Sequence, residues 1–557
     1  MQNQKYNKLW TQLDLEFQTY KPDLEALSEV ISPYRPKWLS SDNANGKNRT
    51  NKMLDSTGRL AANTMASGLM GGLTTESRPW FKLAVKQMET SSYAVRAWLD
   101  AATEKLRETF SRSNFYGRMP SFYTDLALGT ALILEEEDDI DGVRFYVIPL
   151  GSYRIANGPR MTVDTMIREF VLTARQIVGR YGIDNASVSV KNAISMGNDE
   201  LKFPCRQLIC PNDKHRPGSP WANEKAFKSC VWEVGNDTAL LSESGYDECP
   251  FFAVRWDTIG EDTLGIGPAH NAYPELLGLQ VLRKIKSKAM EKTADPPMVI
   301  PTELAHSKFS LNPGGRIYHD GKDGRPQIYP AYMVNPDLSG MREDIQDQRR
   351  LVNQSFFADL FLMISNIDRS NTTAEEIRAR QEEKLALLGP VMERINDEGL
   401  GPIIDRTFNI LARKSAPYWM MGEDSPYLPR PPDEIQGQTI AIEYVSILAQ
   451  AAKALSLTSV NRLIGQATQV AQLGDEAAQM VADTIDGAAI LHESANQLGT
   501  KTTLLRSPEA VAQRQQARQQ QAEQQAAIEN AQRMAAGAKD LSQTNIDQSN
   551  ALTALIG

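Results

Sequence analysis

Apolar residues in the first 31 positions, Leu9, Leu13, Phe17, Tyr20, Leu24, Leu27 and Ile31, recur at intervals of three and four, the spacing that lines one face of an α-helix. Pro22 interrupts the stripe, so the pattern predicts a helical hairpin or a kinked helix. After a polar stretch from Ser40 to Asn51, helical periodicity returns from Met53 to Leu73, where Gly71-Gly72 is expected to stop it. Further helices are predicted at about 93–112 and from Phe122 to Thr130. The pattern then changes. Ala131 to Glu137, Gly142 to Pro149 and Thr165 to Leu172 alternate or carry β-branched residues, and Asp-Gly and Asn-Gly turns break them into strands. Thr173 with Gln176 makes a capping box that opens a helix over Ala174–Tyr181. Residues 200–257 are β-rich again, most clearly at Val231–Val234 and Phe251–Trp256. Up to this point the chain reads as an α+β unit.

Helices resume at Pro268, with a stripe of Leu276, Leu279, Leu282, Ile285 and Met290 that Asp295-Pro296-Pro297 must end, since two prolines can neither continue a helix nor join a central strand. Asn312-Pro313-Gly314-Gly315 and Asp323-Gly324 predict short strands and tight turns over 298–334, and a second helix runs from Asp337 to Leu362. Two long helices thus flank a compact tip. Beyond the polar stretch Ser365 to Thr372, a capping box of Thr373 and Glu376 opens a helix over Ala374–Leu388. Gly389-Pro390 is expected to kink or divide it, and a further break is expected at Gly399 to Pro402 before helix continues to about Lys414. A proline-rich linker, Pro426 to Pro432, precedes a strand at Thr439–Val445 and helices to about Leu505. Between Gln513 and Gln525 there are eight glutamines in thirteen residues. Such a segment forms helix readily but has almost no apolar stripe, so it is either disordered or packs against copies of itself.

A chain of 557 residues suggests three or four structural units. Its 41% hydrophobic and 23% charged residues are ordinary for a globular protein. The longest apolar stretches, Leu126–Leu134 and Phe356–Ile364, span about nine residues against the roughly 20 a membrane helix needs. The start, Met1-Gln-Asn-Gln-Lys-Tyr6, lacks a signal-peptide core, so use in a cytoplasm and no membrane association are expected. A net charge of -9 disfavours a static DNA coat, whose affinity would come from basic residues displacing counterions. A passage that lets DNA slide is compatible with that charge, because each clamped phosphate acts as a brake.

Chemistry-bearing motifs are sparse. Cys205, Cys210, Cys230 and Cys249, with His215 nearby, lack the tight C-x2-C knuckle of a zinc site and read as ordinary free thiols. Glu135 to Asp139 offers carboxylates to a hard cation, but a solvated hairpin end, supported by Asp141-Gly142, is the plainer reading. Neither H-E-x-x-H, nor a P-loop, nor a G-x-S-x-G elbow is present, and Gly265-Ile-Gly-Pro268 lacks the third glycine of a dinucleotide loop. No catalytic residue, cofactor or metal is therefore expected. A metal-dependent hydrolase of nucleic acid, using the 135–141 carboxylates or the cysteines, is the rival reading, and a stoichiometric metal with cleavage activity would favour it.

Four segments in order resemble the head-to-tail connecting proteins, the portal subunits of short-tailed phages: Met65-Ala-Ser-Gly-Leu-Met-Gly-Gly-Leu-Thr-Thr-Glu-Ser-Arg-Pro-Trp-Phe81, Arg168–Gln176, Asp295-Pro-Pro-Met-Val-Ile-Pro301 and Arg380–Pro390. The likeness spans about residues 10–505 and leaves out the compositionally biased tail. What it implies is a predominantly helical α+β chain in a ring, usually of twelve copies. The implied parts are an α/β wing (1–267), a stem of two helices (268–295 and 337–357) around a small β-containing clip (296–336), and a channel-loop region (358–373). A long wing helix and linker (374–438), a helical crown (439–506) and a C-terminal helical barrel (507–557) complete it.

The resemblance places a loop reaching into the channel at Ser365, Asn366, Asp368, Arg369, Ser370 and Asn371, which could equally be a plain connection. Arg283, Lys284, Lys286, Lys288 and Lys292 form a basic belt on the first stem helix. They could meet DNA phosphates, bridge subunits or face solvent; five pore-facing bases per copy would grip DNA too hard, which favours bridges. On the clip, His306, Lys308, Arg316, Tyr318 and Lys322 are candidates for partner docking. Implied partners are double-stranded DNA without sequence preference, the major capsid protein, a terminase packaging motor, and a tail adaptor and tail proteins, placing the chain in the virion at one capsid vertex. Another virion ring such as a tail adaptor is disfavoured, because adaptors are typically much shorter.

Overall fold

The computed structural model describes residues 2–33, 53–85, 92–236, 239–295, 298–299, 329–330, 337–366, 387–435 and 439–445, with scattered positions between 514 and 534. Helix α1 (Gln2–Ile31) is neither a hairpin nor broken: Pro22 sits inside one 30-residue helix. Removing a single ladder bond is tolerated because the same face buries Phe17, Leu24, Leu27 and Ile31. Likewise Gly71 and Gly72 do not stop α2 (Thr57–Leu73); the helix closes when the Thr74 N–H bonds Met70 O. Buried Gly58, Ala61, Ala62 and Ala66 give α2 small positions that let neighbours approach, between the larger buried Met65 and Leu69.

Helix α3 (Tyr93–Arg112) starts where predicted, with the Ser92 hydroxyl accepting from Val95 N. Helix α4 (Phe115–Leu126) begins seven residues earlier than its periodicity suggested and stops before Thr130, which belongs to a strand. Strands β2 (Thr130–Asp138) and β3 (Gly142–Ile148) form the expected hairpin, and β9 (Phe251–Arg255) pairs with the other edge of β2 to give the order β3-β2-β9. Ala131 to Leu134 are buried on both faces, which explains why this strand reads as a continuous apolar run.

A second antiparallel sheet has the order β4-β5-β6-β7-β8: β4 (Tyr153–Asn157), β5 (Val163–Thr173), β6 (Lys202–Pro211), β7 (Phe227–Glu233) and β8 (Ser242–Tyr246). The Thr173 capping box is present in both directions, Gln176 N to Thr173 Oγ1 at 3.3 Å and Thr173 N to Gln176 Oε1 at 3.0 Å, and opens α5 (Ala174–Tyr181). A second short helix, α6 (Val188–Ser195), carried no signal in the periodicity. Helix α1 lies on this sheet through Trp232 Nε1 to Asn7 Oδ1 at 2.9 Å and through the Arg154–Asp14 pair at 2.6 Å, with Arg154 stacked over Phe17.

The main core joins α2, α3, α4 and the three-stranded sheet around Trp80, Phe81, Phe110, Phe115 and Phe145, all without exposed surface. Strand β1 (Phe81–Val85) pairs antiparallel with β12 (Ile440–Tyr444), so the predicted strand near 440 returns to the N-terminal part of the chain. After α7 (Pro268–Asn271) come α8 (Tyr273–Ala294), the two-residue pair β10 (Met298–Val299) and β11 (Tyr329–Pro330), α9 (Leu338–Ser355) and α10 (Ala358–Asn366). The helix predicted through Leu362 is thus divided at Phe356-Phe357. Helix α11 (387–395) runs through Gly389-Pro390 without dividing there, and the break expected at Gly399 is instead a π-helical turn, Asn396–Leu400, leading into α12 (Gly401–Met421). Most of the residues assigned to the clip, crown and barrel lie outside the described residues; the described positions of 514–534 are helical and exposed.

Gly129 marks a close approach of two backbone segments. Its φ is +105°, and an added Cβ would collide with the carbonyl oxygen of Gly265. Gly129→Ala combines a strained backbone with a backbone clash and is expected to cost at least about 2 kcal/mol, read as a lowered thermal-unfolding midpoint.

Candidate functional site

Helices α8 and α9 pair side by side, with Gly278 close against Gln348, and the β10–β11 pair joins the end of α8 to the start of α9, so the two run antiparallel. Asp337 caps α9 by accepting from Ser339 N and Gly340 N. The predicted stripe on α8 is only partly covered. Leu276 and Leu279 are buried, opposite a face of α9 that buries Ile345 and Val352, whereas Ile285 and Met290 are exposed. A second row, Leu277 at 37%, Val281 at 56% and Ile285 at 45% exposure, repeats every four residues and stays bare. Leu54, also exposed, is tied to α8 by its N–H, which bonds Gln280 Oε1 at 2.7 Å.

The pair is tied to the rest of the chain by Asp55, whose side chain has no exposed surface. Its Oδ2 accepts from Arg283 Nε of α8 at 2.9 Å and from Arg349 Nη2 of α9 at 2.7 Å, while Oδ1 accepts from Thr57 N at 2.9 Å. Burial alone would raise the pKa of this carboxyl; hydrogen bonds from Thr57, Arg349 and Arg283 overcome it and bring the value down to about 2. Gln280 completes the clasp by accepting from Asp55 N and donating to Asp55 O. The basic belt is therefore not a uniform row: Arg283 is committed to Asp55 within its own chain, Lys284, Lys288 and Lys292 are exposed, and Lys286 is half-buried. Ser365 and Asn366 are the last residues of α10. Asp368, Arg369, Ser370 and Asn371 lie outside the described residues, as do His306, Lys308, Arg316, Tyr318 and Lys322.

The acidic run 135–139 is not wholly a solvated hairpin end. Asp139 and Ile140 are exposed at the turn, but Glu135 is fully buried, facing α12. Glu135 Oε1 accepts from Thr407 Oγ1 at 2.7 Å, and Oε2 lies 4.0 Å from Arg406 Nε, a side chain only 2% exposed. Burial pushes the Glu135 pKa up to about 8 against the opposing pull of Arg406 and Thr407, with Glu248 and Glu137 adding to the rise. Turned inward, Glu135 is not available to a metal beside Asp138 and Asp139, and among the described residues no three metal-type side chains cluster. Cys205 and Cys230 are buried in β6 and β7, and burial pushes the Cys205 and Cys249 thiols up to about 12. Asp55 and Arg406 were missed by motif reading, and Glu135 was noted only as one of a run of carboxylates, since each acquires its role only from partners distant in sequence.

The chain is a mixed body of helices and antiparallel sheets, carrying a long helix pair that is clasped to its own chain and keeps part of its apolar surface exposed. The chain belongs to the bacteriophage head to tail connecting protein family, whose model matches residues 3–505. It is 38% identical to the portal protein of Salmonella phage epsilon15 over 98% of this chain and 97% of that one. It is 34% identical to the probable portal protein of Bordetella phage BPP-1 over 98% of this chain and 96% of that one. A chain in the solved neck of an empty gene transfer agent particle covers 85% of this chain and 97% of itself at 11% identity and a TM-score of 0.34, a likeness that fixes no detail of the architecture.

Two titrations follow from the buried carboxyls. Asp55 has a folded pKa below its ordinary 3.8, so its contribution is present above that pH and is lost as pH falls through about 2. Because its arginine partners are about a third exposed, Asp55→Asn is expected to cost about 1–2 kcal/mol near neutral pH, measured by denaturant unfolding. Glu135 has the opposite sign: its folded pKa is raised, so its contribution is full below about 4.5 and is lost as pH rises through about 8. Glu135→Gln should remove that component of the pH dependence and raise the unfolding midpoint at pH 8 relative to the parent; an unchanged pH profile would contradict the assignment.

Proposed function

We propose that the chain is one subunit of a portal, a ring at one capsid vertex through which double-stranded DNA is packaged and later ejected. The observation that carries this reading is the bare row Leu277, Val281 and Ile285 on a helix pair already fixed to its own chain. Covering a row of three half-exposed aliphatic side chains against a neighbouring copy is worth about 3 kcal/mol per contact, and identical contacts head to tail close into a ring when the rotation between copies permits. Family membership and the two portal relatives supply the biological setting.

In this reading α8 and α9 are the stem and residues 296–336 the clip, which docks first the packaging motor and afterwards the tail adaptor. The wing comprises residues 1–267 and meets the capsid protein, 358–373 is the channel-loop region, 374–438 the long wing helix and linker, 439–506 the crown and 507–557 the barrel. Twelve copies fit the family's usual ring. The action is geometric rather than enzymatic: a net charge of -9 per copy keeps the ring anionic and weakly adhesive, so DNA is contained without being held. Lys284, Lys286 and Lys288, with no Asp55 to occupy them, are the members of the belt left for neighbouring acids or passing phosphates.

Val281→Asp tests this directly. Placed in the bare row, the charge should leave the circular-dichroism spectrum of the chain unchanged and abolish rings in negative-stain images. Rings of normal number and size from the variant would remove the row from the interface.

A further inference from the structure

Helices α9 and α10 are separated by two residues only. Phe356 N–H still bonds Val352 O at 3.1 Å, as in a continuous helix, but Phe357 N–H reaches back only to Gln354 O at 3.0 Å. The full-turn spacing returns with Phe361 N to Phe357 O at 3.2 Å. The interruption lies in two adjacent residues: Phe356 has φ -90° and ψ 5°, off the helical ψ, and Phe357 has φ +55°, a left-handed conformation that is an outlier for a bulky side chain. Met161 is the other non-glycine described residue with positive φ, and it lies in a tight turn between strands.

Packing keeps the bend in place. Phe356 and Leu360 have no exposed surface, and the Phe357 ring lies 6.1 Å from that of Trp256. On α2, Gly68 leaves a notch that the Phe361 ring fills so closely that a Cβ on Gly68 would overlap it. A strained residue flanked by helix on both sides, and held in place by the burial of Phe356, Leu360 and Phe361, has an unstrained continuous helix as its alternative.

We propose that Phe356-Phe357 is a two-residue hinge: returning the Phe356 ψ and the Phe357 φ to ordinary helical values fuses α9 and α10 into one rod and withdraws Phe361 from the Gly68 notch. The structural claim stands on this chain alone. Its consequence rests on the portal reading, in which the hinge lies between the stem and the channel-loop region and sets where Ser365 and Asn366 at the end of α10 are carried.

The two states differ in their backbone hydrogen bonds. The bend leaves the N–H groups of Ala358 and Asp359 out of the ladder; the fused helix pairs them with Gln354 and Ser355. Hydrogen–deuterium exchange of the full-length chain, followed on peptides covering 355–361, reads this in whichever oligomer forms. Gly68→Ala fills the notch and Phe357→Ala removes the ring contact with Trp256 while keeping the backbone strain, so each should slow exchange at 358–359 at least tenfold. Phe357→Gly relieves the strain and should leave exchange as fast as in the parent, or faster. If Gly68→Ala fails to fold, Phe357→Ala carries the test. Equal exchange in the parent and all folded variants would overturn the hinge, whereas normal exchange shifts in a chain that forms no rings would overturn only the portal reading.

Discussion

A carboxyl group with no exposed surface ordinarily gives up its charge, and Asp55 keeps it because guanidinium groups from two different helices converge on one of its oxygens. That convergence fixes the relative position of three elements at once: the start of α2, the first long helix and the second. Neither long helix would be secure alone. Over its 18 residues α9 buries Ile345 and Val352 as its apolar anchors, and α8 buries Leu276 and Leu279 near its beginning while its far half stays exposed. A helix with so little covered apolar surface is marginal in water. The clasp holds the near end of the pair in register, and the far end is left to find its partners elsewhere.

This division of labour links stability to assembly. Buried ion pairs contribute less to net stability than their Coulomb energy suggests, but they specify geometry well, since any other arrangement strands a charge. Rigidity at the base means the bare row on α8 is presented in one orientation, as a repeated head-to-tail contact between copies would require. The second buried carboxyl, Glu135, works differently. It is held by a hydroxyl and faces Arg406 at 4.0 Å, so it joins the three-stranded sheet to α12 at a desolvation cost that appears as the pH rises through about 8 and the carboxyl ionises.

Local signals in the sequence translated well where local chemistry decided the outcome. The Thr173–Gln176 capping box, the Ser92 start of α3 and the Asp-Gly turn at 141–142 all appear where the residues require them. Breaker residues misled where tertiary burial outweighed their cost: Pro22 and Gly71-Gly72 lie inside helices whose opposite faces are deeply buried. The long helix pair was legible from its stripe and its closing prolines, but which part of the stripe would be covered was not, because that depends on the length of α9 it meets. Asp55 could not have been found by pattern, as its partners lie 228 and 294 positions away. Nor could Glu135, which stands in an acidic run that looks uniform until the fold turns one member inward. The Phe357 bend left no trace either, since nothing in Phe-Phe-Ala announces a left-handed residue.

In the proposed portal, the remaining burial of the half-covered helix pair comes from identical copies arranged around an open axis. Native mass spectrometry of the purified full-length chain tests this most directly. A closed ring predicts one dominant species at a fixed multiple of 61.9 kDa, with twelve as the expected multiple, persisting on dilution. A single species at 61.9 kDa at every concentration, with the fold intact, would contradict it.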